Sequence, residues 1–467
     1  MSESVQISTH PVRRRQHIRR IIRRFIRRDY TSPKVLMLAV LTGVLTGTFC
    51  ALFEFCTDAV VEHRLGYLES VDSQWRWIPA FLISGVLGMI AFYLMHRFAP
   101  EAGGSGIPEI EGALDEIRPV RWKRVLPVKF FGGTCSLGSG MILGREGPSV
   151  QIGGNIGKMV GDLFHLQKDS SHALLAAGAA AGLSAAFNAP LAGILFVLEE
   201  MRPTFRYSFL SIKVVSTAVI CSTITRQIFF GTGPVFVIPE FDTPSIPTLL
   251  VFLMFGCAMG CVGFIFNKLV NAFQDGYLAF HKGRRGRFVF VGLMLGGVFG
   301  ILSLYGHGLT TGGMQIIPHW VTEPIQFQML FWLLAWRFLG TLLCFCSGVP
   351  GGIFAPSLAL GTLCGAVCGS AVAIVFPSLA VQYGVFPIVG MGALFAASVR
   401  APVTGIILVT EMTNNYGLIL PMMVTTLSAT LVAQWLGGKP IYNQILERTL
   451  RLANIKHKQE ESHAQAA

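Results

Sequence analysis

The feature that most constrains this chain is a series of apolar runs long enough to cross a lipid bilayer. A spanning helix needs about 20 consecutive apolar residues. Runs of this kind recur along the 467 residues, at 35–57, 77–97, 174–198, 207–230, 247–266, 288–305, 329–346 and 417–436. Only 13% of the residues are charged, whereas soluble domains average about 25%. The sequence therefore predicts an all-α polytopic membrane protein.

Glycine and proline interrupt several of these runs, as in "GGTCSLGSG" and "GVPGGIFAP". In lipid, a broken helix is tolerated only where protein or a water-filled cavity satisfies the freed backbone groups. The interruptions therefore indicate an internal site rather than a bundle of simple spans.

Basic residues are concentrated in a few segments of this chain, whose net charge is +12. Residues 1–34 contain ten basic and two acidic residues, with apolar residues at helical spacing: Ile18, Ile21, Ile22, Phe25 and Ile26. This pattern predicts a cytoplasmic amphipathic helix on an anionic membrane surface, which we favour over nucleic-acid binding. The basic segments 118–124 and 282–287 are also predicted to be cytoplasmic, because Lys and Arg concentrate on that side. Segments without Lys or Arg are predicted to be external: 231–246, 306–328 and 377–386.

The chain repeats itself. Residues 178–201 match residues 390–412 at an offset of 212, and the identical residues include Pro190 and Glu199. A second segment, which begins at Ser139, matches one that begins at Ser347 at an offset of 208. Two related halves are therefore predicted, the first at 35–230 and the second at 247–445, joined by an external linker at 231–246. The arm at 1–34 precedes them. Residues 446–467 are predicted to form a cytoplasmic tail that is too short for an appended regulatory domain. Interrupted segments at matching positions of two repeats indicate a substrate site near the bilayer midplane. The sequence alone leaves open whether the halves are parallel or inverted.

Three of the interruptions can form helix N-termini: "GSGIPE" at 104–109, "GREGPSV" at 144–150 and "GGIFAPS" at 351–357. A helix N-terminus carries partial positive charge and unpaired N–H groups, so several that point at one place bind an anion without a basic side chain. In the repeat alignment Glu146 falls opposite Phe354. An ionised carboxylate there can take the place of the anion, and a protonated one can move aside. The alternative for Glu146 is a buried salt bridge with Arg145.

These three segments resemble the signature sequences of the CLC family of chloride channels and proton/chloride antiporters. The likeness covers residues 35–445, and "KFFGG", "NAPLAGILF" and "GGKPIY" resemble the family's bacterial antiporters most. It implies an inverted-repeat CLC fold with many tilted and broken helices, and a homodimer with one pore per subunit. It also implies selectivity-filter motifs made of Gly104, Ser105, Gly106, Ile107, Pro108, Gly144, Arg145, Glu146, Gly147, Pro148, Gly352, Ile353, Phe354, Ala355 and Pro356.

The resemblance further implies a role for each site residue. Chloride would be bound by the hydroxyls of two residues and the backbone N–H groups of two others: Ser105, Tyr442, Ile353 and Phe354. Glu146 would be the external gate and proton acceptor, and Glu200 the internal proton-transfer residue. Glu199 matches Glu411 in the repeat and so is predicted to be structural, whereas Glu200 has Met412 opposite it. The alternative for Glu200 is an ion pair with Arg202.

The expected function is proton-coupled chloride antiport across a bacterial inner membrane, with both termini cytoplasmic and with a charge shunt in acid as one use. A passive voltage- or proton-gated chloride channel is the alternative. An intramembrane serine protease built on Ser139 is disfavoured because no base accompanies that serine. No enzyme activity or cofactor is expected, since chloride and protons are the substrates. No metal site or disulfide is expected either, because most of the ten cysteines lie in apolar runs and no histidine accompanies them at zinc-like spacing. Arg337 is expected to pair with an acid in 109–116.

Overall fold

The computed structural model describes residues 32–201, 209–282, 284–377 and 381–466 of the chain. Within these ranges the chain is all-helical, with a few short 3₁₀ turns and one isolated antiparallel bridge. The helices of the first half are α1 (Pro33–Ser70), α2 (Trp77–Phe98), α3 (Ile107–Leu114), α4 (Trp122–Gly138), α5 (Glu146–Leu163), α6 (Lys168–Phe187), α7 (Pro190–Glu199) and α8 (Phe209–Phe230). Those that follow are α9 (Leu249–His281), α10 (Arg285–Leu302), α11 (Ile317–Thr322), α12 (Phe327–Cys346), α13 (Phe354–Val375), α14 (Val385–Val399), α15 (Pro402–Thr413), α16 (Ile419–Trp435) and α17 (Ile441–Ala466). The predicted amphipathic helix of the 1–34 arm lies outside the described residues.

Nine helices in the described part of the chain are long and apolar enough to cross a membrane. One of them, α13, was not among the predicted runs. The predicted run 174–198 is wrong as a single span, because the chain breaks it between α6 and α7. Asn188 adopts the left-handed conformation that ends α6 (φ 49°), and Pro190 begins α7. Asn tolerates that conformation and Pro suits a first helical turn, so the break needs only the two residues Asn188 and Ala189.

The two halves contain the same helices in the same order, from α1 with α9 through to α8 with α16. Packing repeats as well, since α5 lies on α6 as α13 lies on α14, and α1 lies on α8 as α9 lies on α16. The closest crossings use equivalent glycines. A Cβ atom at Gly153 would lie 2.0 Å from the carbonyl oxygen of Gly178, and one at Gly361 would lie 2.4 Å from that of Gly390.

Two reciprocal contacts establish that the repeat is inverted. Gly144 and Gly352, which are equivalent, exchange backbone hydrogen bonds of 2.8 and 2.7 Å. The Glu199 carboxylate, at the end of α7, accepts the N–H groups of Val403 and Thr404 at the start of α15. In turn the Glu411 carboxylate, in the last turn of α15, accepts the N–H groups of Leu191 and Ala192 at the start of α7. Equivalent segments that run antiparallel require a two-fold axis between the halves, as in inverted-repeat transporters.

Arg337 is buried in α12, and the prediction that it pairs with an acid is wrong. Its guanidinium donates to the backbone carbonyls of Gly308, Thr310 and Thr311, at 3.0 to 3.2 Å, and lies over the ring of Trp320. Carbonyl oxygens at a loop carry partial negative charge, so several of them can satisfy a planar cation.

Candidate functional site

Four helices begin around one point inside the protein. The helices α3, α5 and α13 begin at Ile107, Glu146 and Phe354, so the predicted helix starts in the three glycine-rich segments are confirmed. The fourth, α17, begins at Ile441. Each N-terminus brings partial positive charge to the common point.

Glycine permits this convergence at two positions in particular. Gly106 precedes α3 with a φ of 85°, a left-handed conformation that most side chains disfavour. At Gly147, a Cβ atom would lie 2.4 Å from the Ser105 hydroxyl oxygen, so any other residue would push the Ser105 loop away from α5.

Ser105 and Tyr442 bring two hydroxyl groups to the site from opposite ends of the chain. Both side chains are buried; Tyr442 lies within electrostatic reach of Glu146, and its hydroxyl lies close enough to that of Ser105 for the two to interact. Within the described residues, neither hydroxyl forms a hydrogen bond of ordinary geometry. Buried hydroxyls normally have a partner, so two neighbouring hydroxyls without a well-formed hydrogen bond, beside several helix N-termini, form a surface suited to a small anion.

The Glu146 carboxylate lies at the start of two helices. It belongs to the first residue of α5, and its Oε2 atom accepts the N–H of Ala355, in the first turn of α13, at 3.3 Å. Its other oxygen is buried and has no hydrogen-bond partner among the described residues. The carboxylate thus occupies the kind of position that an anion takes at a helix N-terminus.

The guanidinium of Arg145 is directed to other acids. It lies 2.8 Å from the Glu54 carboxylate and 3.6 Å from the Asp58 carboxylate, and Glu54 is also 3.5 Å from Arg226. This arrangement argues against the alternative in which Arg145 and Glu146 form a closed salt bridge. Glu146 keeps an oxygen available to a mobile partner.

A cavity of about 470 Å³ leads to Glu146 from the side of the protein that the sequence predicts to be external. Its charged lining residues are Asp58, Arg145 and Glu146, and its remaining lining is mostly apolar and glycine-rich. Ala355 also lines this cavity, so the cavity extends to the start of α13 beside the Glu146 carboxylate.

The ring of Phe354 anchors the start of α13. Its centroid lies 4.3 Å from that of Phe395, 5.0 Å from that of Phe187 and 6.3 Å from that of Phe196. Aromatic packing of this kind fixes the ring and therefore fixes the backbone N–H groups of Ile353 and Phe354, which are the groups predicted to bind the anion.

Glu200 lies at the end of α7, within electrostatic reach of Tyr442, and does not line the external cavity. Its carboxylate is buried and interacts electrostatically with Glu111 of α3, whose two oxygens have no hydrogen-bond partner among the described residues. Two buried carboxyls that have no cation beside them among the described residues favour holding a proton between them. Arg202, the alternative partner of Glu200, lies outside the described residues.

Two residues near the site were not identified from the sequence. Glu111 lies close to Glu200 and Tyr442. Lys129 is buried in α4 and donates to the carbonyls of Ala102 and Gly104 at 3.0 and 2.7 Å, so it holds the loop that carries Ser105. The signal was present for Lys129, because a lone cation in an apolar segment is by default functional or structurally essential.

The comparison with known families agrees with the geometry. A sequence model of the family described as "Voltage gated chloride channel" matches residues 87–434 of this chain. The chain belongs to this family, the CLC family. The predicted all-helical CLC fold is thereby confirmed.

Similar proteins cover nearly the whole chain. The H(+)/Cl(-) exchange transporter ClcA of Vibrio parahaemolyticus is 54% identical over 420 residues, which cover 89% of this chain and 90% of that protein. The H(+)/Cl(-) exchange transporter ClcA of Salmonella typhimurium is 51% identical over 458 residues, which cover 97% and 96%. The crystal structure of a slow cyanobacterial Cl-/H+ antiporter matches with a TM-score of 0.87 at 39% identity, over 91% of this chain and 100% of that one.

The Ser139 hydroxyl forms a local hydrogen bond that gives this residue a structural role. Its hydroxyl donates to the Ser136 carbonyl, three residues earlier in α4, at 2.7 Å. The equivalent Ser347 donates to the Cys344 carbonyl in the same way, at 2.6 Å. A feature present in both repeats belongs to the scaffold, and so the serine protease alternative has no geometric support.

Proposed function

We propose that this CLC protein is a secondary active transporter that exchanges chloride for protons across a membrane. The observation that carries the proposal is the Glu146 carboxylate, which accepts the Ala355 N–H at the start of α13 in the manner of an anion. The relatives named as H(+)/Cl(-) exchange transporters, at 51% and 54% identity over most of the chain, support it.

In the proposed mechanism, chloride and the Glu146 carboxylate compete for the same backbone N–H groups. The buried hydroxyls of Ser105 and Tyr442 hold chloride on the inner side, together with the N–H groups of Ile353 and Phe354. Protonation removes the charge that attracts Glu146 to the helix N-terminus. The neutral side chain then moves aside and chloride passes, so each proton taken up at Glu146 opens the path for chloride.

Protons reach the inner side of Glu146 through Glu200 in this proposal. Glu200 is buried beside Glu111, and both lie within electrostatic reach of Tyr442. A protonatable pair at this position suits proton storage between the inner solution and the gate. Glu199 is used by the α15 backbone, which leaves Glu200 as the acid at the end of α7 that is available for transfer.

A passive chloride channel on the same scaffold would differ from an exchanger in its need for proton-carrying residues. A channel needs the gate at Glu146 but has no use for a second acid. The buried carboxyl of Glu200 therefore favours the exchanger, and the measurement below separates the two functions.

The test uses purified protein in liposomes with an outward chloride gradient, while external pH is recorded. Proton uptake driven by chloride efflux is expected, because exchange links the two movements. In Glu200→Gln, chloride efflux should continue while proton movement stops. Asp162→Asn, which removes an exposed acid that pairs with Lys158, is the control and should behave as wild type. Chloride efflux without proton movement in the wild-type protein would make this chain a channel.

We also propose that the protein is a homodimer with one pore in each subunit, in a bacterial inner membrane with both termini cytoplasmic. The family membership supports the dimer, and the distribution of Lys and Arg supports the orientation. Exchange of this kind could act as a charge shunt during acid exposure. The mass of the purified protein in detergent tests the dimer, and protease access to tagged termini in oriented vesicles tests the topology.

A further inference from the structure

A second polar cavity, separate from the chloride and proton path, lies where α16 ends and α17 begins. It has a volume of about 520 Å³ and lies between α9, the connecting residues 436–439 and the first turns of α17. It lies on the face of the protein that the charge distribution predicts to be cytoplasmic. Its charged lining residues are Lys268, Asp275, Lys439, Glu447, Arg448 and Arg451.

The charges in this cavity do not cancel. Lys439 pairs with Glu447 at 2.7 Å, and Arg448 pairs with Asp275 at 2.9 Å, so both acids are already used. Lys268 and Arg451 form no ion pair within the described residues. The cavity therefore presents two uncompensated cations from two different helices, α9 and α17.

The depth of the cavity matches the headgroup region of a membrane. Trp435 and Leu436, which immediately precede its connecting residues, are 78% and 45% exposed. Exposed tryptophan at a helix end is typical of the membrane–water interface. Basic pockets between helices on the cytoplasmic side are suited to phosphate headgroups.

The cavity is adjacent to the segment that sets the position of Tyr442. Asn267 of α9 donates to the Lys439 carbonyl at 3.0 Å, and Arg400 donates to the Gly438 carbonyl at 2.9 Å. Tyr442 follows Lys439 by three residues. A group that bridges Lys268 on α9 and Arg451 on α17 would hold α17, and with it Tyr442, against the rest of the protein.

We propose that this cavity binds a phosphate group, with Lys268 and Arg451 as its principal charged ligands, and that binding holds the start of α17 in place. The phosphate belongs either to an anionic lipid of the inner leaflet or to a soluble phosphate. The observations behind this proposal do not rest on the proposed transport function.

The test measures thermal unfolding of the full-length protein in detergent, with phosphatidylglycerol, phosphatidylcholine or inorganic phosphate added. Phosphatidylglycerol should raise the unfolding midpoint of the wild type, and phosphatidylcholine should not. The double variant Lys268→Gln/Arg451→Gln should need about thirtyfold more phosphatidylglycerol for the same shift, from the usual contribution of two basic residues. Arg284→Gln/Arg285→Gln removes the same charge from the same face outside the cavity and should respond as wild type.

Hydrogen exchange provides a local readout. In the wild type, phosphatidylglycerol should slow the exchange of the backbone amides of residues 437–445 (Pro440 has none), and in the cavity variant it should not. An equal effect of inorganic phosphate would support the site and assign it to a soluble ligand. The proposal would be overturned if the unfolding midpoints of the cavity and control variants responded equally to phosphatidylglycerol and to inorganic phosphate. Unchanged hydrogen exchange at residues 437–445 in the wild type would also overturn it.

Discussion

Substituting Glu146 by glutamine should tighten chloride binding, because the carboxylate and chloride compete for the same N–H groups. Removing the charge ends its attraction to the N-termini of α5 and α13, which together contribute roughly 1 kcal/mol. The hydrogen bond from Ala355 is long at 3.3 Å, so its charge-assisted surplus is at the low end, about 0.5–1 kcal/mol. The sum of about 1.5–2 kcal/mol corresponds to a ten- to thirtyfold lower dissociation constant for chloride.

Isothermal titration of chloride into purified protein at neutral pH measures this change. Asp58→Asn is the matched control, because Asp58 lines the same cavity but contacts Arg145 rather than the α13 N-terminus. It should change chloride affinity much less. Wild-type affinity should rise as pH falls and Glu146 is protonated, whereas the Glu146→Gln affinity should stay constant. If the variant binds chloride no tighter than wild type, or if Asp58→Asn gives the same gain, the competition argument is wrong.

Three further predictions concern the hydroxyl, the reciprocal acids and the helix crossing. Tyr442→Phe should weaken chloride binding two- to tenfold, because the loss of one hydrogen bond costs about 0.5–1.5 kcal/mol. The temperature of unfolding should not fall, and a thermal scan alongside the chloride titration checks this. Glu199→Gln and Glu411→Gln should each destabilise the protein by about 1–3 kcal/mol, because each leaves two helix-start N–H groups without a charged acceptor. Thermal unfolding measures this, and the two variants should lower the unfolding midpoint by the same amount. Gly178→Ala should abolish folded protein in size-exclusion chromatography, since its Cβ would lie 2.0 Å from a carbonyl of the facing helix, whereas Gly276→Ala, with nothing within 4 Å, should elute as wild type.

The helix starts around the site could be predicted because backbone geometry is encoded locally. Pro108 lies in the first turn of α3, and Gly106, which precedes the helix, permits the left-handed conformation needed there. The repeat likewise predicts a structural role for Glu199, and its contact with the α15 backbone confirms that prediction. Such features need no knowledge of distant contacts.

The errors arose where a contact depends on the tertiary fold. Hydropathy treats 174–198 as continuous, since Asn188 and its neighbours form too short an interruption to lower a window average. An acid was expected for Arg337, but backbone carbonyls supplied by a distant loop satisfy it. Glu111 lies in a sequence rich in acids, and only the fold brings it next to Glu200. Spatial neighbours of this kind cannot be deduced from spacing.

The comparison of the two repeats separates scaffold from chemistry. Where equivalent residues are identical, as with Gly144 and Gly352, each contacts the other across the two-fold axis and the contact serves both halves equally. A transport path cannot be symmetric in this way, because its two ends face different solutions. The proposed functional residues stand opposite different ones: Glu146 opposite Phe354, Glu200 opposite Met412, and Ser105 opposite Gln315, counting from the Ile-Pro pairs that begin α3 and α11. The inverted repeat therefore provides paired helix N-termini at the centre, and substitutions in one half give that centre a direction.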